Sequence, residues 1–175
     1  MGWRSVVLGA AMAMAMALSP AARAGDWTVR FDGAGPLKVG MRFDTVNKIL
    51  GEKLARTPKE LRSAPNCFQL EPARQPGLLL MFIDDVLKRV DVMEEGIASE
   101  RGIALGDTVD KVERSYGEAI VRAQQLRDPN EQTLTVMAGD GQYAMRFETG
   151  KGKITGLYAG EWRQVLHTEG CLSTR

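Results

Sequence analysis

The chain has one histidine and two cysteines in 175 residues. That is too little for a His/Cys metal cluster or a histidine-centred catalytic apparatus. An excess of one charge is also missing, since 23 Lys and Arg face 22 Asp and Glu. A balance this close to neutral gives no electrostatic footprint for nucleic acid or an anionic membrane surface. No apolar run reaches the roughly 18–20 residues of a membrane span. What is present is ordinary: 44% hydrophobic, 26% charged and 6% aromatic residues. That composition belongs to a globular protein and excludes collagen, coiled coil and wholesale disorder. It names no activity.

Residues 1–24 read as a targeting segment. Arg4 supplies a short positive start, and Val6 to Leu18 is an apolar stretch of 13 residues, too short to span a bilayer. Ser19-Pro20 breaks it, and Ala22-Arg23-Ala24 fits the small-x-small cleavage rule. The pattern predicts export, cleavage after Ala24, and a periplasmic or secreted chain that begins at Gly25 with no lipidation cysteine at the junction. Four of the nine methionines leave with this segment. The remaining 151 residues suffice for one good core or two small ones.

Cys67 and Cys171 both stay in the exported part. Two cysteines in an oxidising compartment favour one structural disulfide. The alternative is a redox-active thiol pair, but no C-x-x-C occurs.

An internal repeat organises the rest. Leu37-Lys-Val-Gly40-Met-Arg-Phe43-Asp44-Thr-Val46-Asn-Lys-Ile-Leu50-Gly51-Glu52 aligns without gaps to Ile103-Ala-Leu-Gly106-Asp-Thr-Val109-Asp110-Lys-Val112-Glu-Arg-Ser-Tyr116-Gly117-Glu118, 66 residues on. Duplication is the better reading of so many matches. In each copy the first glycine allows a tight turn. A short helix follows, with Phe43, Val46 and Leu50, or Val109, Val112 and Tyr116, at helical spacing. Thr108 is placed to cap the second helix, whereas Arg42 cannot cap the first. Gly51 and Gly117 stand where a helix takes a left-handed residue to end.

After each helix the period shifts from 3.6 toward 2. Strands are expected at Cys67–Leu70, Leu78–Ile83 and Val86–Met93, and then at Ile120–Gln124, Thr133–Met137, Gln142–Glu148 and Ile154–Tyr158. Asp84-Asp85, Gly139-Asp-Gly141 and Gly150-Lys-Gly152 supply reversals. Trp27, Val29 and Phe31 alternate as a leading strand, and Thr57-Pro58 opens a brief helix near 58–63. The expected fold is α+β: two tandem repeats, each a short helix or helix pair on its own three- to four-stranded antiparallel sheet. Repeat one with its leading strand covers 25–97, and repeat two with the C-terminal tail covers 98–175.

The pattern of a glycine, a helix reading x-x-V-x-x-x-[LY]-G and a strand meander resembles the repeat of the β-lactamase inhibitory protein. It is also similar to the fold of the small lipoprotein of the outer-membrane β-barrel assembly machine. The likeness rests on Gly40, Val46, Leu50 and Gly51, and on Gly106, Val112, Tyr116 and Gly117. These positions form the fold and carry no activity. The resemblance implies a tandem-repeat protein that binds another protein through its sheet surface. The chain departs from the lipoprotein in lacking a cysteine to lipidate and in having two repeats.

Chemistry is sparse. His167, Glu169 and Cys171 would share a face in a strand, but a disulfide at Cys171 removes the nucleophile. Asp84, Asp85, Asp91, Glu94 and Glu95 lack EF-hand spacing and read as a solvated turn and strand edge. No metal, cofactor or catalytic set is expected. Leu78–Ile83 is apolar on both faces. Either its second face, with Leu79, Met81 and Ile83, is covered by the rest of the chain, or it is an exposed partner site. Tyr143, Met145 and Phe147 alternate with Ala144, Arg146 and Glu148 as one core face and one wet face. Trp162 and Arg163 are either a docking anchor or a cap on the core. The resulting expectation is a non-enzymatic binding module for another envelope or secreted protein, such as an inhibitor of a periplasmic or secreted hydrolase. The alternative is a structural or assembly factor of the envelope. Oligomeric state has no signature in the sequence.

Overall fold

Antiparallel pairing of residues far apart in the chain sets the architecture. The computed structural model describes residues 27–125, 128–167 and 169–171. The expected targeting segment, Gly25 and Leu172 lie outside these residues. The leading segment contributes a small antiparallel sheet of β1 (Val29–Arg30), β2 (Gly33–Ala34) and β3 (Leu37–Lys38). Only Val29 of the expected leading trio lies in a strand, because Phe31 and Asp32 turn the chain back. Helix α1 (Phe43–Leu50) follows, then β4 (Cys67–Leu70), β5 (Leu78–Ile83) and β6 (Val86–Val92). Helix α2 (Val109–Tyr116) precedes β7 (Ile120–Gln124), β8 (Gln132–Met137), β9 (Tyr143–Gly150) and β10 (Lys153–Glu161), and α3 (Trp162–Leu166) ends the regular structure. The helix expected near 58–63 is a single 3₁₀ turn, Lys59–Leu61, with no buried residue to hold a longer one.

Two separate sheets do not form. One seven-stranded sheet runs β4-β5-β6-β10-β9-β8-β7. Its joint is the antiparallel pair of β6 and β10, with Val90 opposite Ala159 and Val92 opposite Leu157. Neither half then keeps a bare edge at the centre, where main-chain donors and acceptors would otherwise stay open.

One face of this sheet carries the apolar core. Phe68, Leu80, Phe82, Val90, Leu157, Phe147 and Leu134 are buried in a single cluster with Val46 and Leu50 of α1 and Val112 and Tyr116 of α2. Phe43 stands edge-on to Phe68 and Phe82, with ring centroids 5.5 and 5.3 Å away. Tyr116 meets Phe147 at 5.9 Å. Burying each such side chain contributes roughly 1.5–3 kcal/mol. Helices of eight residues are marginal alone, so this packing holds them.

The helix starts are fixed by hairpin turns. Asp84 and Asp85 (φ 52° and 59°) reverse β5 into β6, and Lys151 and Gly152 (φ 52° and 74°) reverse β9 into β10. Two successive left-handed residues are the turn that suits strand twist. The Phe43 amide donates to Asp85 O at 2.8 Å, and the Val109 amide donates to Gly152 O at 3.2 Å. Thr108 does occupy the position before α2, but its side chain makes no capping bond. The turn carbonyl already takes the first helical amide. Gly51 ends α1 in the left-handed region (φ 64°, ψ 31°). Gly117 has φ 53° but ψ −128°, so the chain passes from α2 through a 3₁₀ turn directly into β7.

Close approach at the central joint demands glycine at 160. Its φ is +153°, and a Cβ there would lie 2.3 Å from Lys88 O. Neither a main-chain carbonyl nor the paired strands can give way cheaply. Gly160→Ala is expected to lower unfolding stability by about 2–3 kcal/mol, read as a lower urea midpoint at unchanged slope.

Candidate functional site

The second face of the sheet holds the site. It presents Gln69, Met81, Arg89, Asp91, Tyr158, Arg146, Glu148, Thr133 and Thr135, and the C-terminal segment crosses it. Val165 of α3 and Cys171 are fully buried. Cys171 is joined to Cys67 of β4 by a disulfide. The Cys171 amide donates to Gln69 Oε1 at 2.7 Å, and Gln69 Nε2 donates to Asp91 at 3.1 Å. Gly170 must be small here, since a Cβ would lie 1.8 Å from the same Gln69 oxygen.

Two arginines finish the strap. Arg89 forks onto Asp91 through Nε at 2.6 Å and Nη2 at 2.8 Å. Its Nη1 donates to the carbonyls of Gln164 and His167, each at 2.7 Å. Arg146 Nη1 donates to Leu166 O at 2.8 Å, and its Nη2 donates to Glu148 at 3.2 Å. Cationic donors thus meet the negative C-terminal end of α3. The Tyr158 ring lies 5.0 Å from the Arg89 guanidinium carbon. Burial pushes the Tyr158 hydroxyl up, with nearby Glu148 adding to it. Burial also pushes the Asp91 carboxyl up, against the pull of Arg89.

This network corrects two sequence expectations. Asp91 is buried and paired rather than part of a solvated edge. The face holding Ala144 and Arg146 is covered rather than wet. Asp84 and Asp85 do sit at a surface turn, bonded to Asn66 and Arg56. The Arg56 guanidinium beside Asp85 holds its carboxyl below the usual range. His167 is exposed, and Cys171 beyond it has no free thiol. Among the described residues no group of three or more His, Cys, Asp or Glu is placed to hold a metal ion.

The expected partner-binding residues separate. Met81 lies between Gln69 and Arg89 in register and is 2% exposed, so a partner does not reach it while the strap is in place. Leu79 and Ile83, on the same face, are half-buried. Trp162 and Arg163 are exposed at the start of α3.

Trp162 borders a groove of about 550 Å³. Val121, Ala123, Thr133 and Thr135 of β7 and β8 make its floor, and Trp162 and Leu166 make one wall. A smaller hollow of about 290 Å³ is lined by Trp162, Arg163 and Tyr143. Seven large hydrophobic side chains are exposed among the described residues, and four of them, Val121, Met137, Trp162 and Leu166, line this groove. Val121 and Met137 were invisible in the sequence. Each sits in an ordinary alternating strand, and only the position of α3 leaves that end of the face open.

No protein-family model and no curated protein matches the chain. The crystal structure of the uncharacterized protein yfeY from Escherichia coli matches 77% of this chain and 99% of its own, at 14% identity and a TM-score of 0.47. A likeness of that size carries no functional argument. Among the described residues no helix is long and apolar enough to cross a membrane.

Proposed function

We propose that the chain is an exported, non-enzymatic binding module for another envelope or secreted protein. Its contact surface is the groove beside Trp162. One observation carries this reading: exposed large apolar side chains from two strands and a helix converge on that groove. Such a patch on a soluble domain marks an interaction site. Trp is also the residue most enriched where truncation costs binding most. A disulfide between distant segments fits a protein that works outside the reducing cytoplasm.

The module is two copies of one folding unit, as the sequence repeat suggests. Support comes from details the repeat did not include. Gly40 and Gly106 donate to Leu87 O and Ile154 O, both at 2.8 Å. Leu87 and Ile154 donate back to Met41 O and Asp107 O, again at 2.8 Å. The β5–β6 register skips Lys88, and the β9–β10 register skips Thr155, at the corresponding point. A helix-and-hairpin unit used twice explains why the irregularities match as well as the regular parts.

The test is cross-linking capture from envelope extract with the wild-type chain and Trp162→Ala, followed by reconstitution with the purified partner. Trp162→Ala is expected to weaken the reconstituted complex by about thirtyfold. A soluble hydrolase that loses turnover in the complex identifies an inhibitor. A membrane-embedded partner identifies an assembly factor. Equal affinity for the wild-type and Trp162→Ala chains sinks this reading of the groove.

A further inference from the structure

The two ends of the sheet are treated differently. At β4 the outer side is occupied: the Thr57 hydroxyl donates to Gln69 O, and the Ser63 amide donates to Cys171 O beside it. At β7 no described residue pairs on the outer side. The Gln125 amide donates to Glu131 O at 3.0 Å, which fixes the alternation along this hairpin. Val121 and Ala123 therefore bond toward β8, and the main-chain groups of Arg122 and Gln124 point outward. Two N–H and two C=O groups stand open.

Exposed edges are ordinarily blunted by proline, by lysine, by a bulge or by a charge aimed at the incomer. Strand β7 has none of these. It reads Ile-Val-Arg-Ala-Gln, and its five pairs with β8 run without a register shift. Its one charge, Arg122, turns to the helix-bearing side and pairs with Glu113 of α2 at 2.8 Å. On the other side Val121 is 63% exposed at the margin of the groove, which has a wall at α3 and none at β7.

Resting on the binding-module reading, we propose that β7 takes an extended peptide segment of the partner as an added strand. Alternate apolar side chains of that segment lie beside Val121 and close the open side of the groove. Main-chain bonds give the affinity of such an addition, and side-chain spacing gives its selectivity. A second copy of this chain is the poorer occupant. A five-residue edge falls short of the roughly 1,200 Å² that specific protein pairs bury.

The probe is a fluorescein-labelled peptide, Thr-Phe-Thr-Val-Thr-Leu-Thr, with two N-methylated versions that block alternate amides in opposite phase. Fluorescence polarisation with the exported chain should show the unmodified peptide binding. One N-methylated version should weaken by about tenfold or more, while the other binds as before. Arg122→Pro, which removes an outward N–H, should weaken the peptide similarly, and Arg122→Ala should not. If Arg122→Pro fails to fold, the two N-methylated peptides decide alone. Equal behaviour of those two versions overturns strand addition, as does no binding of the unmodified peptide at about millimolar concentration. A concentration-dependent dimer that Arg122→Pro abolishes overturns it in favour of self-pairing. A chain whose partner depends on Trp162 but whose peptide binding ignores amide phase loses only this inference. A chain whose peptide binding follows amide phase while its partner ignores Trp162 loses only the groove reading.

Discussion

Replacing Cys67 and Cys171 together by serine is expected to remove about 4–5 kcal/mol of unfolding stability, if chain entropy sets the scale. The bond spans 104 residues, so the unfolded chain gains a great deal of freedom once it is cut. Urea unfolding of the oxidised chain against the double variant measures the difference. The native state contributes as well, because release of Cys171 removes the acceptor bond at Gln69 and lets the tail lift from Met81. A loss under about 1 kcal/mol would refute the chain-entropy account, since cutting the bond would then give the unfolded chain little freedom.

Arg89→Ala should cost about 3–5 kcal/mol. The side chain is 1% exposed and donates to one carboxylate and two carbonyls. Its removal strands Asp91 as a buried charge and takes the donor from the Gln164 and His167 carbonyls. Two further variants separate this from simple cavity formation. Arg89→Met with Asp91→Leu should recover most of the loss, since an apolar pair of similar volume needs no compensating charge. In the cysteine-free chain, Arg89→Ala should cost only about 0–1 kcal/mol, because a lifted tail admits water to the pair. Equal costs with and without the disulfide would separate the two anchors and refute their cooperation.

Local features of the fold were legible in the sequence. Cys67–Leu70, Leu78–Ile83 and Ile120–Gln124 match the observed strands end for end, because each is bounded by a turn or helix with its own residue signature. The joining of β6 to β10 was not legible. It pairs residues 89–92 with 157–160, and neither strand marks its partner. The same non-local contact hid the strap. Lys88, Arg89 and Asp91 look like a wet edge in sequence, and only α3 and the tail laid across them make Arg89 and Asp91 interior. One trace was available: Leu87 and Val90 both face the core although three residues apart, which alternation forbids without an extra residue between them. Of the groove, Trp162 was legible as a bulky apolar residue beside an arginine. Its floor of Thr133 and Thr135 was not, since threonines on a strand suit a solvated face equally well.

The strand order also has a consequence for folding during synthesis. Strand β10 is the last made and sits in the middle of the sheet. A chain emerging from its N-terminal end can build β4, β5 and β6, but the far side of β6 stays uncovered until residue 161 is through. Cys67 likewise waits for residue 171. Until the second half appears, the first half carries an unpaired strand edge and a free thiol. A holding chaperone and a guarded thiol are the demands this topology places on its compartment.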